Sequence, residues 1–110
     1  MARRPIDLMH GTLDVLVLKT ISWQPAHGYA ITQPNEERTG GVFEIEDAAL
    51  YKALHRLEAS GAVSSVWGAS ENNRRARYYR LTTLGRKELR AETSTWHQYA
   101  AAVTSVLGTA

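Results

Sequence analysis

A chain of 110 residues has room for one hydrophobic core and none for a second, and its 44% hydrophobic content excludes a wholly disordered protein. With no cysteine there is neither a disulfide framework nor a thiolate metal site, which fits a reducing cytoplasm. The net charge of +2 excludes little, but ten of the thirteen basic residues are Arg, whose planar fork suits phosphate and guanine edges. The acids Glu36, Glu37, Glu44, Glu46 and Asp47 gather mid-chain, away from the basic clusters. The longest apolar runs, Val15–Leu18 and Tyr99–Val103, are too short for a membrane span or a signal-peptide core, so a cytoplasmic location without a membrane partner is expected.

Met1–Pro5 is a short basic tail. Asp7 or Thr12 is expected to cap a first helix over about residues 11–22, with Leu13, Leu16, Val17, Thr20 and Ile21 as its inward face. Pro25 disfavours helix at the residue before it and ends this segment at Trp23-Gln24. His27-Gly28-Tyr29 opens a second helix, with Tyr29 and Ile31 as packing residues. Pro34 lacks an N–H and costs about 3 kcal/mol inside a helix. The spacing therefore predicts a kink at Gln33–Pro34 or a new turn at Pro34. Thr39-Gly40-Gly41 closes the segment, and Val42–Ile45 is expected as a short strand beside a later hairpin.

Asp47 is the natural N-cap of a third helix, in which Leu50, Ala53, Leu54 and Leu57 form one apolar stripe. Ala48, Tyr51, Lys52, His55 and Arg56 fall on the other side. Gly61 stops the helix where a left-handed residue is wanted. Two β-prone runs follow, Ala62–Trp67 and Arg75–Leu81, around the polar turn Gly68–Arg74. Strand alternation turns Tyr79 and Leu81 inward and Tyr78 and Arg80 outward, and leaves Arg75 and Arg77 on the inward face beyond the core. Trp67 is expected under this hairpin.

A half-buried helix beside an Arg-rich hairpin is how a winged helix-turn-helix holds duplex DNA. The expected fold class is mainly α (α+β). Tyr51, Lys52, His55 and Arg56 are the candidate groove-facing residues, and Asn73, Arg74, Arg75 and Arg77 the candidate wing. Phosphate contacts position a protein without reading sequence, so such a wing supplies affinity rather than specificity. The competing reading is a solvated helix face and a hairpin kept soluble by charge. Glu46 and Asp47 would repel phosphates, an objection met if Asp47 caps the helix and turns away from the DNA.

Thr82 or Thr83 is expected to cap a long fourth helix reaching about Leu107. Leu89, Trp96, Ala100, Val103 and Leu107 fall on a/d-like positions, a stripe that so small a domain cannot cover. The same helix of a second subunit would cover it, giving a two-fold homodimer. The alternative is that Trp96 folds back on its own domain. Residues 1–83 are thus read as the DNA-binding domain and 84–110 as a C-terminal dimerisation helix.

Several motifs occur in order over about residues 8–107: Gly11-Thr12-Leu13-Asp14 followed by leucines, His27-Gly28-Tyr29, Leu50-Tyr51 leading into Ala53-Leu54-His55-Arg56-Leu57-Glu58, Glu71-Asn72-Asn73-Arg74-Arg75, and Tyr79-Arg80-Leu81-Thr82 with Gly85. In these the chain resembles the PadR family of bacterial transcriptional regulators, in its short form with a single C-terminal helix. The resemblance implies a homodimeric winged-helix repressor. Its third helix would enter the major groove, its wing would contact the backbone and its last helix would build the dimer. It also implies, for some members, a small aromatic effector held between subunits, for which Trp96 is the candidate residue. The chain departs from the family's usual residues at Ala49 (Ser or Thr), Lys52 (Pro) and Pro34. Ala49 removes a hydroxyl that would help hold a phosphate, while Lys52 adds a cation on the outward face.

Other function classes find little here. The four histidines, His10, His27, His55 and His97, lie at no zinc-motif spacing, and there is no nucleophile elbow, phosphate loop or dinucleotide fingerprint. No catalytic residue, metal or cofactor is expected. A winged helix that binds another protein is the remaining alternative, distinguished by the salt dependence of DNA binding.

Overall fold

The apolar periodicities of the sequence become four helices and one hairpin in the computed structural model, which describes residue 8, residues 11–69 and residues 74–108. In order these are α1 (Thr12–Trp23), α2 (Gly28–Arg38), α3 (Asp47–Ala59), β1 (Val63–Ala69), β2 (Arg75–Leu81) and α4 (Thr83–Leu107). The class is mainly helical with a small antiparallel wing, a winged helix-turn-helix, as the patterning predicts. Val17, Leu18 and Ile21 of α1, Ile31 of α2 and Leu50, Leu54 and Leu57 of α3 meet in one core, closed by Ala62, Val63, Tyr79 and Leu81 at the base of the hairpin. Fully burying a side chain of the Leu or Ile kind stabilises by about 1.5–3 kcal/mol, so this cluster dominates the energetics.

One polar pair is buried within it. Asn35 Nδ2 donates to Thr20 Oγ1 at 2.9 Å and to the Ile31 carbonyl at 2.7 Å, and the Thr20 hydroxyl donates to the Leu16 carbonyl at 2.8 Å. This chain fixes α2 against α1 and satisfies the groups it removes from water. Asn35 follows Pro34, and α2 runs through that proline as one helix, so the alternative of a new turn at Pro34 is not realised. The burial of Ile31 and Asn35 on either side of it offsets the missing hydrogen bond.

The ends of the helices depart from expectation. Gly11, in the left-handed region, occupies the N-cap of α1 and Thr12 is its first helical residue; Asp7 lies outside the described residues. Asp47 is the first residue of α3 rather than its cap, which is Glu46 in an extended conformation without a side-chain cap bond. An acid in the first turn is favoured by the helix dipole whether or not it caps. Of the two candidates Thr82 caps α4, its Oγ1 accepting from Gly85 N at 3.0 Å, and Thr83 is the first helical residue. Gly61, with φ of 86°, closes α3 in a Schellman motif: Ala62 N donates to the Leu57 carbonyl at 2.9 Å and Gly61 N to the Glu58 carbonyl at 3.1 Å.

Residues 42–45 form no strand. The chain turns through Gly40 and Gly41, both with positive φ, and delivers only Ile45 to the core. The third sheet position goes to the α1–α2 connection instead. Pro25 keeps Gln24 extended, and Ala26 then pairs with Tyr79 through Ala26 N to Tyr79 O at 3.0 Å and Tyr79 N to Ala26 O at 2.9 Å. Tyr29, expected to pack, is 73% exposed, because the inward side of so short a helix is already filled by Ile31 and Asn35.

The hairpin pairs Val63 with Leu81 through to Ala69 with Arg75. Its base is sewn to the start of α4, where the Thr82 hydroxyl donates to the carbonyls of Gly61 and Ala62. Gly85 is buried there, and a Cβ at this position would overlap the Ala62 carbonyl oxygen. Gly85→Ala is expected to lower stability by about 1–3 kcal/mol, through forced displacement of α4 from the hairpin base. Urea unfolding followed by circular dichroism measures this, and an unchanged midpoint would show that the contact is not needed.

Candidate nucleic-acid interface

Burial of Leu50, Ala53, Leu54 and Leu57 turns the opposite side of α3 outward, and Tyr51, Lys52, His55 and Arg56 are all exposed on it. Among the described residues Lys52 and His55 have no hydrogen-bond or ion-pair partner. Arg56 does: its Nη2 donates to Asp14 Oδ1 at 2.8 Å, tying α3 to α1. Tyr51 leans over the first residue of α2, where a Cβ on Gly28 would stand 2.6 Å from its hydroxyl.

The hairpin joins this face through a residue that the sequence reading did not single out. Glu58, on the last turn of α3, accepts from the Ser65 hydroxyl at 2.6 Å and from Arg77 Nη2 at 3.4 Å, while Arg77 Nε donates to Ser65 Oγ at 2.7 Å. Spacing along α3 cannot reveal this contact, because it depends on the register that sets Ser65 beside Arg77. Tyr79, one step nearer the core, has its phenol pKa raised by burial, against the lowering effect of the nearby Arg77 guanidinium. Arg74 and Arg75 are exposed, and Asn73 lies outside the described residues. Arg80 points from the other face of the ribbon, its Nε donating to Ser64 Oγ at 3.3 Å.

Trp67 does not pack beneath the wing. It is 57% exposed, with the Arg75 guanidinium carbon 4.7 Å and that of Arg77 5.6 Å from its ring centroid. The core ends at Tyr79 and Leu81, so a ring two pairs farther out has nothing apolar to cover it. Trp23 and Trp96 are half-exposed too, so none of the three tryptophans is a core residue.

Of the α4 stripe, Leu89 packs on the chain's own core and Ala100 is half-buried, while Trp96, Val103 and Leu107 are exposed. Tyr99 and Val106, outside the predicted stripe, are exposed as well, and Tyr99 stacks on Trp96 with centroids 6.0 Å apart. Between these rings and the start of α1 lies an open groove of about 640 Å³, bordered by Val15, Thr95 and Glu92. Glu92 Oε2 is buried without a hydrogen-bond partner among the described residues. Burial raises the pKa of this carboxyl, and the charges of Asp14 and Glu88 raise it further.

The arrangement matches known proteins. The model of the transcriptional regulator PadR-like family matches residues 17–91. An uncharacterised protein of Lysinibacillus sphaericus is 32% identical over 90 residues, covering 82% of this chain and 83% of its own. Among solved structures, a PadR family transcriptional regulator from Eggerthella lenta superposes with a TM-score of 0.76 at 33% identity, over 91% of this chain and 85% of its own. A transcriptional regulator from Clostridium thermocellum superposes with a TM-score of 0.78 at 27% identity, over 86% and 89% of the two chains.

The environment of Glu92 has a measurable consequence. Its folded pKa lies above the unfolded value, so the folded state binds the proton more tightly. Stability then falls as pH rises from the ordinary glutamate range through the raised value. Glu92→Gln is expected to raise the melting temperature at about pH 7, with the gain shrinking toward about pH 4, where the wild-type carboxyl is itself protonated. Melting curves across that range check it, and a gain independent of pH would locate the effect elsewhere.

Proposed function

Because the chain belongs to the PadR-like family of transcriptional regulators, for which DNA binding is the implied activity, we propose that it is a cytoplasmic homodimeric repressor of an inverted-repeat operator. The observation that carries this reading is the continuity of the exposed side of α3 with the Arg-bearing hairpin through Glu58, Ser65 and Arg77. Residues 1–83 would hold DNA, α3 in the major groove and the hairpin against the backbone. Residues 84–110 would dimerise, which the exposed run of Trp96, Tyr99, Val103, Val106 and Leu107 supports. Two third helices related by a two-fold axis call for half-sites about one helical turn apart. A flat aromatic molecule beside Trp96 is the effector class that fits the groove. It would act on DNA only by preferring one spacing of the two α3 helices over another.

Replacing Arg75 and Arg77 together by Ala is expected to weaken binding to all duplexes about equally and to reduce the slope of log affinity against log salt by about one per lost contact. Lys52→Ala or His55→Ala should instead cost about 1–3 kcal/mol on the preferred site and less on random DNA. Fluorescence anisotropy of labelled duplexes measures both, and an unchanged salt slope in the folded double variant would remove the wing from the interface. Light scattering on the intact chain at micromolar concentration should report a dimer, and removal of residues 96–110 a monomer with much weaker DNA binding. A monomeric intact chain would end the dimer reading.

A further inference from the structure

Exposed single hydrophobic residues are common, and the exposure of Trp67 would mean nothing by itself. What stands around it is less ordinary. The register sets Trp67 opposite Arg77, and Arg75 sits two residues farther along the same face of β2. Both guanidinium carbons lie within cation–π range of the one indole ring, at 4.7 and 5.6 Å. Two like charges are thereby gathered on one side chain. Arg77 is partly balanced by Glu58, whereas among the described residues Arg75 has no acidic partner. Such a group is electrostatically incomplete, and an anion between or beyond the two forks would complete it. The ring adds an exposed apolar face and, among the described residues, an indole N–H without an acceptor. Two cationic forks, one N–H donor and one flat apolar surface complement a phosphate and the deoxyribose attached to it. A guanine edge would also accept a guanidinium fork, but it offers no apolar surface to the ring, so the group as a whole suits the sugar–phosphate backbone.

We infer that Trp67 is a DNA-contacting residue: it holds the Arg75 and Arg77 guanidiniums in position and packs its exposed ring against the sugar–phosphate backbone. This rests on the DNA-binding reading above and adds to it a residue that spacing would have assigned to the core. The ring limits the side-chain freedom that two long arginines would otherwise lose on binding, a saving in ordering entropy. It also explains why an aromatic side chain stands on the hairpin past the last buried pair.

The test uses the full chain with Trp23→Phe and Trp96→Phe, so that Trp67 is the single tryptophan. A labelled random duplex reads DNA binding by anisotropy, and an unlabelled one reads Trp67 through its emission and its quenching by acrylamide. The expected result is an emission change that saturates with the anisotropy signal, together with reduced acrylamide access. In the otherwise wild-type chain, Trp67→Leu should lose about fivefold in affinity on specific and random duplexes alike, while Trp67→Phe, which keeps a cation–π face, should lose about half as much on a logarithmic scale. Melting curves confirm that each variant is folded. If anisotropy reports binding while emission and quenching stay still, or if Trp67→Leu binds as tightly as the wild type, the inference is overturned and the DNA-binding reading stands. If the wild-type chain binds no duplex even at low salt, both fall together.

Discussion

The burial of one side of α3 is the constraint on which the rest of the molecule depends. Leu50, Ala53 and Leu54 are fully buried and Leu57 nearly so, and together they fix the rotation of the helix about its axis. Successive residues are about 100° apart around a helix, so a slip of one position would carry Lys52 and His55 out of the exposed face and strand leucines in water. The interactions available to the outward side chains are individually small beside the burial of several leucines. The core therefore decides which residues are offered, and those residues contribute little to holding the fold. That division allows an outward face to be chosen for a partner instead of for stability.

The links between elements follow the same logic. Arg56 with Asp14 and Arg77 with Glu58 are half-exposed ion pairs, of a kind worth about 0–1 kcal/mol. Their weight is geometric. One aligns α3 with α1 and the other aligns the hairpin with α3, so the cationic side chains are held near one orientation. A phosphate competing for either guanidinium would give up little stability in displacing its carboxylate. The buried Thr20–Asn35 bond behind them is a different matter, since removing one partner leaves a polar group in the core. Firm polar contacts lie inside, and exchangeable ones at the surface where a polyanion would arrive.

The helices, the two strands of the hairpin with their inward Tyr79 and Leu81, and the outward face of α3 are legible in the sequence because each follows from a local period, 3.6 for the leucine stripe and 2 for the strands. Gly61 and Thr82 were legible because their cap chemistry is local too. What escaped depends on partners distant in the chain. The strand expected at 42–45 lost its place to Ala26, since pairing with Tyr79 is settled by where Pro25 steers the α1–α2 connection. Hydrophobicity alone places Trp67 and Tyr29 in the interior, whereas the core is too small to reach either. Leu18 lies outside the expected inward face of α1 yet is fully buried, because α1 is covered by several elements and not along one stripe. Glu58 carries no signal of its role in the sequence, because only the tertiary register brings Ser65 and Arg77 to it.

The fourth helix joins the core and an exposed apolar face in one element. Its first turns belong to the core, fixed by Thr82, Gly85 and Leu89, while beyond Trp96 its apolar side chains face solvent. At about 1.5 Å of rise per residue, the 25 residues of α4 make a lever of nearly 40 Å. In the proposed dimer, a few degrees of change in how α4 leaves the core would shift the partner's α3 by several ångströms, enough to move it out of register with the next major groove. The groove beside Trp96 and Tyr99 lies at that exit, against the start of α1 and Glu92. A molecule wedged there would have no need to touch the proposed DNA-facing residues. It would need only to favour one angle between α4 and α1, which in the proposed dimer the length of the helix would convert into a spacing of the two α3 helices.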